Sequence, residues 1–174
     1  MSDPELSDQV PGAGGRRGRG APVRLLPPLV FLLPLLVGIV LGRLVPWRLP
    51  ASGSWRGALP ALGLLLLVGG VALMAWAAVV LWRHQTTVIP WGHVEHLMTG
   101  GPFRLMRNPI YVGDVLVYLG GTLVAGTWWP LALMPLPLFV MKRYVIAREE
   151  AYLLERFGEA YAAYCRRVRR WGLV

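Results

Sequence analysis

The sequence predicts an all-α polytopic membrane protein with about four transmembrane helices and a C-terminal amphipathic cytoplasmic helix. Three observations carry that expectation. Of the 174 residues, 55% are hydrophobic and only 16% charged, with a mean hydropathy of +0.50, where a soluble domain carries about 25% charge. The apolar residues are gathered in uncharged runs of 18 (Leu25 to Gly42), 26 (Gly57 to Trp82) and 27 residues (Val115 to Met141), each close to or above a bilayer-crossing length. The basic residues that give a net charge of +9 flank these runs and form no soluble basic face. Anionic lipid is therefore the expected partner, and nucleic acid is not.

Residues 1–24 are rich in Pro, Gly and Arg, too poor in apolar groups to fold, and read as a disordered basic tail. The remainder, 25–174, reads as a single membrane domain. Arg16-Arg17 hints at a targeting signal, but the run from Leu25 is too long for the core of a removed peptide, so a first span is placed near 25–42. A loop with Pro46, Trp47, Pro50 and Gly53 leads to a second span near 59–82, with Trp76 and Trp82 as its aromatic belt. Gly69-Gly70 in its middle suits close helix packing.

The connection from Arg83 to Asn108 is the longest polar one and holds all three His. His93 and His96 sit three apart around Glu95, yet a metal site needs a third ligand and a fixed outer shell, so no metal is expected. Cys165 is the only cysteine, which excludes an internal disulfide and a CxxC redox motif.

The stretch Gly101 to Gly113, GPFRLMRNPIYVG, is the most punctuated in the chain. Asn108-Pro109 is a helix start, because Asn accepts from free backbone N–H groups and Pro at the first helical position gives up no hydrogen bond. Those N–H groups and the positive end of the helix dipole, beside Arg104 and Arg107, suit an anion. Further on, Gly126-Thr127-Trp128-Trp129-Pro130 joins a helix-ending Gly to a helix-starting Pro, and divides the last apolar run into spans near 109–126 and 129–147.

Four spans put fifteen basic residues on one side of the membrane and three on the other, so both termini and the 83–108 connection are expected in the cytoplasm. Three spans would set Arg104 and Arg107 opposite the eight basic residues of the C-terminal segment. The excess of Arg over Lys, 17 to 1, with abundant Ala, Gly and Pro, points to a GC-rich bacterial genome and so to an inner membrane. Beyond it, Ala147, Ala151, Leu154, Phe157, Tyr161, Tyr164 and Val168 recur at spacings of three and four, an amphipathic helix over 148–170 that bends at Gly158. Its Arg166, Arg167, Arg169 and Arg170, followed by Trp171, read as a tail on anionic headgroups. Glu149 and Glu150 stand where the fourth helix leaves the membrane.

Taken together, GPFRLMRNPIYVG, a short apolar hairpin, REEAYLLERFGEAYAAY from Arg148 to Tyr164 and RRW near the end resemble the integral-membrane methyltransferases that include isoprenylcysteine carboxyl methyltransferases and phospholipid N-methyltransferases. The resemblance covers roughly residues 83 to 171. It implies methyl transfer from S-adenosylmethionine bound at the cytoplasmic membrane face to a lipophilic or membrane-delivered acceptor, by carboxyl O-methylation or phospholipid-type N-methylation. Carried over residue by residue, the cofactor site maps to Gly101, Pro102, Arg107, Asn108, Pro109, Tyr111 and Gly113, with Glu149 and Glu150. Relatives often have His where this chain has Asn108, so no titrating imidazole is implied there. No GxGxxG follows a strand, which counts against a Rossmann-type methyltransferase domain.

The cofactor's ammonium wants acids, its carboxylate wants Arg or helix N–H groups, and its sulfonium wants an aromatic face, for which Tyr111 and Tyr161 are the candidates. On the acceptor side, Arg104 or Arg143 suits a carboxylate, and Asp114 is the base an amine would need. The competing reading is a small non-enzymatic four-helix transporter or scaffold. A transporter wants a polar or charged pair at mid-membrane, where this chain offers only Asp114 near one edge. The oligomeric state is not written in the sequence.

Overall fold

The computed structural model describes residues 9–11, 26–50, 52–53, 55–84 and 96–172. They are mostly helical and divide into two compact units, one of Leu25–Met74 with Tyr111–Lys142, the other of Ala75–Ile110 with Arg143–Val174 and the N-terminal residues. Helix α1 spans Pro27–Leu44, with Pro27 and Pro28 at its first positions, where no hydrogen bond is lost. Helix α2 spans Trp55–Arg83 and α3 spans Pro109–Ala125, beginning on the Asn-Pro step. α1, α2 and the run Trp129–Phe157 are long and apolar enough to cross a membrane. The chain is accordingly an integral membrane protein. α3, the remaining expected span, has 17 residues, about 25 Å of helix.

The span expected near 129–147 lies inside the helical run Trp129–Phe157, which its prolines divide into segments. It is built from α4 (Trp129–Leu133), α5 (Pro135–Val140) and a π-helical turn (Met141–Ile146) that passes directly into α6 (Ala147–Phe157). Pro135 and Pro137 lack the N–H that would continue the ladder, and the Met134 N–H instead bonds the Leu131 carbonyl at 3.2 Å.

Within the first unit, α2 and α3 meet through four glycines. A Cβ on Gly63 would lie 2.8 Å from the Gly120 carbonyl oxygen and one on Gly120 2.6 Å from that of Gly63; Gly70 and Gly113 stand in the same relation at 2.7 and 2.9 Å. Two glycines seven residues apart on each helix thus face each other antiparallel, letting backbones touch where hydrocarbon outside supplies no driving force for association. The packing expected of Gly69-Gly70 rests on Gly70 alone, since Gly69 faces open space.

α1 lies against α4 at Gly38, where a side chain would strike the Pro130 backbone. Beside it Phe31 meets Tyr118 edge-on at 6.1 Å, and the buried Tyr118 hydroxyl donates to the Pro130 carbonyl at 2.7 Å. The hairpin turn falls at Gly126 to Trp128, and it is tied to the α1–α2 loop: the Trp128 N–H and the Thr127 hydroxyl both donate to the Trp47 carbonyl. The leucines of α1 and α2 that point away from these contacts are exposed, among them Leu33, Leu64 and Leu65, a surface made for lipid.

In the second unit Gln9–Pro11 (β1) pairs antiparallel with His96–Met98 (β2), so the tail expected to be disordered contributes a short strand; the rest of that tail and His93 lie outside the described residues. The amphipathic segment expected over 148–170 is two helices, α6 and α7 (Glu159–Arg167), broken at Gly158, whose φ of +53° only glycine takes cheaply. Leu97, Phe157, Tyr161 and Tyr164 form the buried cluster beneath them. The helix ends at Arg167, and past the extended Val168 the chain forms a strap that turns at Arg170–Trp171 and reaches Gly172.

Candidate functional site

Residues 101–110 of the GPFRLMRNPIYVG stretch are pinned within the second unit. Gly101 opens a 3-10 turn (Gly101–Arg104) at φ +56°, with buried Pro102 in its first positions. The Tyr164 hydroxyl, on α7, donates to the Phe103 carbonyl at 2.7 Å. The Arg107 N–H donates to the Arg169 carbonyl at 3.0 Å, and a side chain on Gly172 would press on Leu105 and Met106. Stretch, α7 and C-terminal strap are therefore one packed assembly.

At its centre the Arg107 guanidinium points inward. Its Nη1 lies 3.2 Å from Glu150 Oε1, 2.8 Å from Cys165 Sγ and 3.4 Å from the Tyr161 hydroxyl, with 16% of the Arg107 side chain and 21% of the Glu150 side chain exposed. On its other flank Glu150 accepts a two-pronged contact from Arg170, Nε to Oε1 at 2.9 Å and Nη2 to Oε2 at 2.6 Å, the geometry a planar guanidinium fork offers a carboxylate. Burial opposes the charge on Arg107, but Glu150 beside it, then Cys165 and Tyr161, outweigh it, and the pKa is raised. Burial, followed by the charge of Glu150, pushes the Tyr161 hydroxyl up as well, and burial does the same to Tyr164. Both phenols stay protonated in the physiological range.

Two buried donors here have no acceptor among the described residues, Arg107 Nε and Asn108 Nδ2. A buried amide or guanidinium N–H left unpaired costs about 1–3 kcal/mol, so a ligand oxygen at that edge would satisfy both. The donor set is of the kind that a carboxylate or phosphate accepts from.

Of the residues singled out from the sequence, Gly101, Pro102, Arg107, Asn108, Pro109, Glu149, Glu150 and Tyr161 belong to this unit, and Arg107, Glu150 and Tyr161 are in direct contact. Glu149 lies next to Glu150 on α6. Arg104 is exposed at the end of the 3-10 turn, and Arg143 is exposed in the π-helical turn with its guanidinium 6.0 Å from the Tyr144 ring. Tyr111, Gly113 and Asp114 belong to the other unit. There Tyr111 is buried, Gly113 packs on Gly70 and Met74, and Asp114 is 5% exposed with its Oδ2 unpartnered.

Arg170 and Cys165 were missed. Their signal was present only as an excess of Arg near the end and a lone thiol one helical turn after Tyr161. The tail read as lying on headgroups is corrected for Arg170, which turns inward to Glu150, whereas Arg166 stays exposed beside Glu159.

Residues 59–160, more than half of the chain, match the family described as phospholipid methyltransferase. A protein-S-isoprenylcysteine O-methyltransferase of Schizosaccharomyces pombe is 35% identical over 75 residues, which is 42% of this chain and 32% of that protein, so the chain spans about a third of that relative's length. An uncharacterized protein of Haemophilus influenzae is 38% identical over 64 residues, 36% of this chain and 98% of that protein. No solved structure matches the chain.

Proposed function

Because the chain belongs to the phospholipid methyltransferase family, we propose that it is a membrane methyltransferase that takes its methyl group from S-adenosylmethionine and passes it to a lipophilic or membrane-delivered acceptor. The observation that carries the site is the pair of unpartnered buried donors, Arg107 Nε and Asn108 Nδ2, beside an acidic pair on α6. A ligand with an α-carboxylate and an α-ammonium fits that donor set, the carboxylate at Arg107 and Asn108 and the ammonium at Glu149 and Glu150. Gly101, Pro102 and Pro109 shape the stretch that presents these groups, and Tyr161 stands beside Arg107; Tyr111 and Gly113 complete the set implied by the family pattern.

When bound, S-adenosylmethionine supplies an electrophilic methyl carbon on a sulfonium, and the chain's own work is to hold and orient, and to exclude water. On the acceptor side, Arg104 or Arg143 pairs a carboxylate of the kind the S. pombe relative's name indicates, and Asp114 accepts a proton from an amine of the phospholipid kind. The proposed membrane is the bacterial inner membrane, with both termini and the Gly101–Gly113 stretch on the cytoplasmic side, an orientation that the fifteen-to-three basic asymmetry supports. Cysteines placed at Ser54 and Thr99 will label from opposite faces; labelling of both from the periplasm would overturn the orientation.

The test of function is calorimetric titration of S-adenosylmethionine into detergent-purified wild type and the double variant Glu149→Gln, Glu150→Gln. Wild type will bind with saturation, and the variant, which keeps shape but loses charge, will bind roughly tenfold or more weakly for each essential Glu. No binding by wild type would reject the reading in favour of a scaffold or transporter. Equal affinities would remove the acidic pair from the site.

A further inference from the structure

We propose that the C-terminal strap, Val168 to Gly172, is a built-in competitor for the cofactor site, with the Arg170 guanidinium occupying the carboxylate of Glu150 that the cofactor's ammonium must take. The proposal rests on the reading of Glu150 as an ammonium ligand given above. Glu150 offers two oxygens with about four lone-pair positions, and three are in use: Arg170 on both oxygens and Arg107 on Oε1. A third cation brought to a carboxylate already shared by two guanidinium groups meets net repulsion, so one of the two must withdraw.

The geometry points to Arg170 as the one that leaves. Arg107 is the more firmly held: its side chain is 16% exposed, its Nη1 also contacts Cys165 and Tyr161, and its backbone N–H is bonded to the Arg169 carbonyl. Arg170 is 30% exposed, and its side chain is held by Glu150 alone among the contacts described. It sits in the turn beyond the end of α7, outside the hydrogen-bond ladder of that helix. Release requires only rotation of a long side chain and a shift of a few strap residues.

Arg170 and the cofactor's ammonium therefore exclude each other at Glu150, and the strength of the Arg170 contact sets the affinity for the cofactor. A free arginine side chain competing for one carboxylate reduces ligand affinity by the fraction of time it occupies that carboxylate.

The experiment is calorimetric titration of full-length protein in detergent, wild type against Arg170→Gln, with two ligands: S-adenosylmethionine and its analogue lacking the α-amino group. Competition predicts that Arg170→Gln tightens S-adenosylmethionine binding about three- to tenfold and leaves the analogue unchanged. A strap that merely supports the fold would weaken both ligands together. Hydrogen exchange of residues 168–172 in wild type gives a second measurement that does not depend on the variant folding well: exchange should quicken when S-adenosylmethionine is added. Unchanged or weaker binding by the variant, with wild type binding normally, overturns the strap and leaves the function standing, as does slower exchange. Absence of binding in both proteins defeats the functional reading and the strap with it.

Discussion

The two units of this protein hold their helices together by opposite means. In the unit of Leu25–Met74 and Tyr111–Lys142, α2 and α3 touch backbone to backbone at Gly63/Gly120 and Gly70/Gly113, and no charged group takes part. In the unit of Ala75–Ile110 and Arg143–Val174, the segment 101–110, α6 and the C-terminal strap are joined through Arg107, Glu150 and Arg170. Glycine contacts have one good arrangement, because a carbonyl oxygen within van der Waals distance of a bare Cα leaves nothing to rearrange. Ion pairs shared among three long side chains have several, with small differences in energy between them. The first kind suits a scaffold in hydrocarbon, the second a site that must admit and release a charged ligand.

The sharpest way to break that contrast is to put a side chain where the backbones meet. Gly70→Leu places a Cβ 2.7 Å from the Gly113 carbonyl oxygen, which no rotamer relieves, and should cost about 3 kcal/mol or more, at the upper end for overpacking. Gly69→Leu, one residue away and facing open space, should change stability by less than about 1 kcal/mol in either direction, with helix propensity favouring Leu. Thermal unfolding of both variants in one detergent decides the matter. Similar midpoints would show that the close approach at Gly70 does not hold the helices.

Legibility in the sequence divided along the same line. Features governed by chain-local rules were readable: the start of α3 at Pro109 followed from Asn-Pro, the hairpin turn from Gly126 to Pro130, and the break at Gly158 from a glycine inside an amphipathic pattern. The fragmentation of the last span could have been read from Pro135 and Pro137, but uniform hydropathy hid it. What depended on pairing across distance was not readable. Glu150 and Arg170 are 20 positions apart and meet only because the chain reverses at Gly158 and again past Val168. Gly63 and Gly120 lie still farther apart, and their seven-residue repeats with Gly70 and Gly113 acquire meaning only once the helices are known to run antiparallel. β1 is three residues long and carries too little periodicity to be distinguished from coil.

A gentler probe compares two arginines within the charged unit. Arg107 and Glu150 are 16% and 21% exposed, whereas the pair Arg166 and Glu159, two turns apart along α7, is 65% and 79% exposed. An exposed pair gains little Coulomb energy in water and must order two long side chains, so its net worth lies between about 0 and 1 kcal/mol. Arg166→Gln should therefore leave the unfolding midpoint unchanged within error and leave ligand binding intact. Arg107→Gln removes a charge-assisted contact in a mostly dry setting and should cost about 1–3 kcal/mol, moderated because Arg170 still neutralises Glu150. Salt separates the two pairs further, since about 1 M salt shortens the screening length to about 3 Å and affects the exposed pair far more than the buried one. If Arg166→Gln proves as costly as Arg107→Gln at low and high salt alike, then burial does not distinguish the two pairs, and the assignment of Arg107 as the anchored member of the cluster fails.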